Sequence, residues 1–363
     1  MSAIYPQALW RLTLEEHDLT YALEPRLMQL TLTDNRGLDA DELNITLSDA
    51  DGRIAIPERG VRLYLALGWD DTGLIDKGSY TVDEIEHSGA PDQLTIRAHS
   101  ADLRETLLVK KERSWHNTTI GAIVKKIAKE NKLTASVSPE LAPLAVKHID
   151  QQSESDANIL TRLGEQYDAM AAVKDGQLIF FAIERGMTIS GTPLPEVSIV
   201  RGVGDSHRFA VSDRVGCPGV TAYYYDKKAG KKGSVTIREA DITPGDKKKN
   251  DKVEASGGNV KVLRHTYSNA KHAARAAKSA LQKALRAAST FNITLARGRP
   301  DIIPELPATV AGWKPEIDSA AWRIVRVTHS LSPSGLTSDL ELELQIGGDA
   351  ESDGGEQENG DDK

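Results

Sequence analysis

The side chains able to do covalent or metal chemistry are few in this 363-residue chain, and they are scattered along it. Cys217 is the single cysteine, so an intrachain disulfide and a zinc site built from several thiolates are both ruled out. A small semi-buried thiol is the ordinary fate of such a residue. His265 and His272 stand seven apart, two turns if both were helical, yet no carboxylate beside them completes a ligand set. The HExxH and GxSxG patterns are missing, which removes the commonest zinc-peptidase and serine-hydrolase signatures. A phosphate loop of the GxxxxGK[ST] kind is missing too, and RGVGDSH at 201–207 reads as a turn rather than a dinucleotide fingerprint. Carboxylates are abundant, and a glycosidase needs only two of them about 5 to 9 Å apart. Aromatic residues are only 5% of the chain, however, and form no cluster that would stack on a sugar. The chemistry points away from an enzyme.

Binding by charge is the other possibility that residue types raise. Two lysine runs, DKKAGKK at 226–232 and DKKKNDK at 246–252, could contact phosphates or an acidic partner, in a way that salt would weaken. Neither contains an aromatic residue for base stacking, and a solvated loop is the simpler reading. The formal charge is −8, but the last 17 residues hold seven acids and one lysine, or −6, which leaves about −2 for the body. A nearly neutral body argues against a nucleic-acid-binding surface spread over the whole protein. That acidic, Gly-rich end has nothing to bury and is expected to be disordered. No stretch approaches the roughly 18 apolar residues of a membrane span, and the first residues lack the order of a signal peptide. The expected place is therefore a cytoplasm.

Whatever these residues do, short strands must position them. From Ala8 to about Ser100, Trp10, Leu12 and Leu14, then Met28, Leu30 and Leu32, then Leu43, Ile45 and Leu47, and then Val61, Leu63, Leu65 and Leu67 alternate with polar residues. Turn chemistry separates them at 34–37, 49–52 and 88–92, as in an antiparallel barrel or sandwich. After Trp115 the period changes. Ile120, Ile123, Val124 and Ile127 share a helical face behind a threonine cap, and Ile159, Leu160, Leu163 and Tyr167 form a second stripe, with Ser153 and Asp156 as its capping pair. Asp175-Gly176 between two apolar runs predicts a hairpin. Strand patterns return at 220–226, 234–239, 291–297, 321–330 and 339–346, the last with Leu340, Leu342, Leu344 and Ile346 on one face. Among them lie a lysine-rich stretch, Asp226 to Gly258, expected to be a mobile loop, and an alanine-rich helix whose polar side carries Lys271, Arg275, Lys278 and Lys283. Trp313 and Trp322 read as core or barrel-rim residues.

Three ordered stretches give the chain a familiar look. They are LTLTDNRGLDADELNITLSD from Leu30 to Asp49, QQSESDANILTRLGEQYDAMAAVKDGQLIFF from Gln151 to Phe181, and the segment from Pro304 to Glu343 with its Trp, Val-x-His and Gly-Leu-Thr turn. In this order they resemble the late control protein D family of contractile-tailed phages and phage-tail-like bacteriocins, which are baseplate hub proteins and distant relatives of the type VI secretion spike hub. The fold this implies is mainly β with an α+β insert: two tube-like antiparallel β-barrel domains plus a middle α+β domain. The expected boundaries are 1–105 for the first barrel, 106–200 for the middle domain, 201–346 for the second barrel and 347–363 for the acidic tail. Helix 265–289 is a candidate to pack with the middle domain.

The resemblance implies a homotrimer, a pseudo-sixfold ring joining the tail tube protein to a separate spike protein, with the tape-measure protein a further partner. It implies no catalytic residue, cofactor, metal, small-molecule substrate or membrane insertion, and nucleic acid only as passing payload. It places the protein in the virion tail baseplate, assembled in the host cytoplasm. The candidate contacts are the turns 34–41 and 332–337, namely Asp34, Asn35, Arg36, Asp39, Asp41, Ser334 and Thr337. A tail-tip peptidoglycan hydrolase and a nucleic-acid-binding late regulator are the alternatives.

Overall fold

The computed structural model describes residues 6–100, 105–174, 176–183, 192–212, 218–226, 230–241 and 260–346. The fold is mainly β with an α+β middle. Its first part runs β1 (Ala8–Leu14), β2 (His17–Asp18), the short helix α1 (Thr20–Leu23), β3 (Leu27–Asp34), β4 (Glu42–Ser48), β5 (Arg62–Trp69), β6 (Gly73–Ser88) and β7 (Gln93–Ser100). Leu30, Leu32, Leu43, Ile45 and Leu47 are buried, as the alternation requires. Met28 is not. A register shift between Leu27 and Gln29 breaks the period, and the Met28 side chain faces solvent.

The middle part contains α2 (Glu105–Leu108), β8 (Lys110–Thr119), α3 (Ile120–Glu130), β9 (Thr134–Val137), β10 (Ala145–Ser155), α4 (Asp156–Tyr167), β11 (Ala169–Lys174) and β12 (Gln177–Ala182). Thr119 caps α3 by accepting from the Ala122 N–H, and β11 and β12 pair as the expected hairpin from Lys174 and Gln177 onward, with Gly176 at φ +70, while Asp175 lies outside the described residues. The cap of α4 corrects the sequence reading. Ser155, not Ser153, accepts from the Asn158 N–H, because β10 runs straight to Ser155 and Ser153 stands at positive φ where the ladder slips. Both helices bury their stripes on β9, β11 and β12, in a core that includes Ile123, Ile127, Leu160, Leu163 and Phe180.

The last part runs β13 (Val197–Val200), β14 (Ser206–Val211), β15 (Gly219–Asp226), β16 (Lys231–Arg238), β17 (Lys261–Tyr267), α5 (Ala270–Ala288), β18 (Ser289–Leu295), β19 (Pro307–Ala311), the short helix α6 (Pro315–Asp318), β20 (Trp322–Ser332) and β21 (Gly335–Leu344). Part of the lysine-rich stretch is thus strand: Lys231 and Lys232 open β16. The sheet β16-β15-β17 is covered on one side by α5 through Ala273, Ala277 and Leu281. His265 lies on β17 and His272 on α5, so no helical spacing relates them. Residues 201–204 make a turn closed by the Gly202 N–H donating to Asp205, and Trp322 is fully buried with Trp313 packed on the same core. Cys217, Lys247 to Lys249 and the acidic tail lie outside the described residues.

One antiparallel run of strands crosses the molecule in the order β14-β18-β21-β20-β3-β4-β7-β6-β5-β1-β2. The two β parts meet at β20 and β3, where Val327 to Leu331 pair with Asp34 to Leu30. Leu331 and Leu336 pass the seam and enter the core of the first part. No described helix is long and apolar enough to cross a membrane.

Candidate functional site

The β3–β4 turn is the place where the three parts of the chain converge. At its start Asp34 is buried, with Lys77 Nζ 2.7 Å from its Oδ2 and His329 Nε2 3.9 Å away. Burial raises the Asp34 pKa, and the Lys77 charge opposes that rise. His329 is fully buried and shares a 2.7 Å hydrogen bond with the Ser338 hydroxyl. Burial first, then the nearby Lys77 charge, pushes its pKa down to about 3, so it stands neutral.

One residue on, Asn35 accepts from Arg326 of β20 at 3.1 Å. Arg36 pairs with Glu305 and, at 2.7 Å, with Glu343. Burial works against the Arg36 charge, but the two glutamates outweigh it and raise its pKa. Glu305 also faces Arg323 at 3.4 Å and is held at φ +75, a conformation that a non-glycine residue rarely takes. Glu343 leads on to Arg286 of α5 at 3.9 Å, and Arg286 grips Asp168 at the end of α4 with two bonds, at 2.6 and 3.0 Å. Gly37, at φ +80, lies against the middle part: a Cβ there would meet the Ala171 carbonyl and the Met170 sulfur at 3.4 Å. Asp41 closes the turn by accepting from the Asn35 N–H, and takes Lys174 of β11 at 2.6 Å.

Of the seven residues expected at a partner contact, Asp34 and Asp41 are therefore buried, and Arg36 and Asn35 are committed within the chain. Asp39 and Ser334 stand exposed, and Thr337 is half-buried beside the tip of the β20–β21 hairpin. The structure sets the two turns at opposite ends of the β3–β20 ladder, since Asp34 pairs with Val327 and Leu30 with Leu331, and it points most of the charge of the first turn inward. Strand and turn composition showed that a turn was there; it carried no sign that Glu305, Glu343 and Lys174 would close on it.

A second buried cluster lies wholly inside the middle part. Asp156, the first residue of α4, receives Lys111 and Asn131 on one oxygen and Arg113 and Gln151 on the other, at 2.5 to 3.2 Å. Burial alone would raise its pKa, but these hydrogen bonds and the Arg113 charge hold it below the usual carboxylate range. Every donor comes from α3, β8, β10 or the residue after a helix, so the cluster orients α4 and offers no free acid or base. Among the described residues no group of three His, Cys, Asp or Glu side chains could hold a metal.

The chain as a whole has counterparts among known proteins. Residues 23–335 match the family model of the phage tail baseplate hub (GPD). The chain is 45% identical over 359 residues to the probable baseplate hub protein of Escherichia phage 186, and the match covers 92% of each. The structure of a tail protein from Neisseria meningitidis MC58 is similar with a TM-score of 0.65 at 15% identity, over 93% of this chain and 96% of that one. An Escherichia coli component of the type VI secretion system, described as similar in structure to the T4 bacteriophage tail proteins gp27 and gp5, gives a TM-score of 0.51 at 14% identity. That likeness spans 87% of this chain and 73% of the other. The two structural likenesses speak to the fold.

Proposed function

Because this chain belongs to the phage tail baseplate hub family, we propose that three copies form a pseudo-sixfold ring joining the tail tube to the central spike. The observation that carries this reading is the arrangement of strands about the β3–β20 seam. Going outward, one side reads β3, β4, β7, β6 and the other reads β20, β21, β18, β14, each starting with a hairpin of consecutive strands. A chain with two such units contributes two similar positions to a ring, so three chains offer six to the tube and three to the spike. The domains follow from the same reading: 1–105 and 201–346 are the tube-like units, and 106–200 lies outside them.

The edges support closure. The run of strands ends at β14 on one side and at β1 on the other, where β2 covers only Thr13 and Leu14. Open edges invite pairing with another chain, and neighbouring copies in a ring would supply it. Asp39 and Ser334, exposed beside the seam, are the expected contacts for tube or spike, and the tape-measure protein and the payload would meet the channel. The role is structural, in the tail baseplate of the particle, with assembly in the host cytoplasm.

The test is the absolute mass of the purified protein by size exclusion with light scattering, alone and mixed with its cognate spike protein. A trimer, free or on the spike, is the expected result. A monomer that ignores both spike and tube would sink the ring.

A further inference from the structure

The two-stranded ribbon of β8 and β10 carries an arrangement that ring assembly does not use. His116 and His148 stand directly opposite each other across it, and both are exposed. Their Nδ1 atoms are 3.0 Å apart, with ring centroids at 4.6 Å and planes 26° from parallel. The His148 tautomer is fixed from behind. Its Nε2 lies 3.0 Å from Asp150 Oδ2, and the other oxygen of Asp150 accepts from the Ser114 hydroxyl. A carboxylate in this position accepts at both oxygens. Nε2 of His148 therefore carries the hydrogen and its Nδ1 turns a lone pair toward His116. His116 Nδ1 donates to that lone pair, and an ion bound between the rings would replace this hydrogen as His116 takes its Nε2–H tautomer; a carboxylate behind the far nitrogen is how proteins present histidine to a metal.

We propose that His116 and His148 chelate a divalent transition-metal ion, with Asp150 as the positioning carboxylate. An ion about 2.1 Å from each nitrogen, bridging atoms 3.0 Å apart, makes an angle of roughly 90° between the two bonds. That angle suits neighbouring positions of a square-planar or octahedral ion such as copper(II) or nickel(II), and suits tetrahedral zinc less well. The His116 ring must rotate to converge on the point that His148, held by Asp150, faces, and its exposure leaves it room. Water completes the shell, since no third protein ligand converges there among the described residues. The ion acts as a staple on the outer face of a ribbon whose ladder is interrupted by a register shift between Gln151 and Glu154.

The test titrates the purified full chain with nickel(II), copper(II) or zinc(II) chloride, followed by calorimetry and by melting temperature. One copper(II) or nickel(II) per chain is expected, with nickel bound tighter than zinc. His116→Ala and His148→Ala should each lower affinity at least tenfold and abolish the metal-induced rise in melting temperature. His116→Gln, which keeps a polar side chain of similar bulk, must lose the ion too, which separates a lost ligand from a disturbed ribbon. Asp150→Asn should weaken binding about 10- to 100-fold while keeping one ion per chain. Unchanged affinity in the histidine variants would place the ion elsewhere, and zinc bound tighter than nickel would contradict the geometry; either result overturns the proposal.

Discussion

Around Asp156 the cations reach the surface, the Lys111 and Arg113 side chains keeping 28% and 17% of their exposure. At the seam Lys77, Arg286 and Arg323 keep 4%, 5% and 2%. The middle cluster is local, its cations reaching water around a fully buried Asp156; the seam cluster is assembled from segments far apart in the chain. Buried pairs of the second kind add little stability over well-packed apolar groups, but breaking one strands a charge. The seam therefore works as a device for register, holding β3, β20, α4 and α5 in one relation.

The largest expected effect follows from that contrast. Arg36→Ala should cost about 2 to 3 kcal/mol by equilibrium denaturation, because Glu305 and Glu343, at 14% and 16% exposure, lose their nearest cation. Glu130→Ala in the middle cluster, where Glu130 meets Lys111 and Arg113 and is itself a third exposed, should cost about 1 kcal/mol or less. Equal costs would erase the distinction between the two regions.

Acid sharpens it next. His329 is neutral when folded, with its pKa pushed down to about 3, so the unfolded chain takes up this proton first, near pH 6.5. Its contribution is complete above about pH 6.5 and is lost as pH falls toward 3, at no more than about 1.4 kcal/mol per pH unit. Asp34 has the opposite sign: its raised pKa lets the folded state bind a proton first and offsets part of the loss. Asp156, held low, keeps its contribution until pH falls below the unfolded value of about 3.9. Denaturation at a series of pH values should therefore show a slope beginning near pH 6.5 that His329→Gln flattens and Asp156→Asn does not.

Smaller still, Gly37→Ala should cost about 1 to 2 kcal/mol, since alanine resists φ +80 and its methyl would press on Ala171. Asp39→Ala and Ser334→Ala should leave stability within about 0.5 kcal/mol. If the ring reading holds, they should instead lower the fraction of trimer or spike-bound protein on the light-scattering column.

The local elements were legible in the sequence and the seam was not. Alternation at Leu340 and Leu342, the Ile120 to Ile127 stripe and the Asp175-Gly176 hairpin depend on neighbours a few residues away, and each formed where the pattern predicted. The cap at Ser155 was missed because the strand before it slips register, an effect of its partner β8 that Ser153 does not announce. Pairing of Asp34 with Val327, and of Arg36 with Glu305, joins residues nearly 300 positions apart, and no periodicity carries such information. The charged turn looked like a surface because charged turns usually are one; its partners decided otherwise.

The pairing of β3 with β20 also has a consequence during synthesis. A nascent chain has made β3 long before the ribosome reaches Trp322, and until then that strand shows an unpaired edge with Leu331 and Leu336 missing from the core beside it. The first part can collapse early, but it cannot finish until β20 has been made. Products that stop before β20 keep the edge open and are marked for aggregation or proteolysis. Synthesis of β20 thus acts as a licence for the fold of the first part.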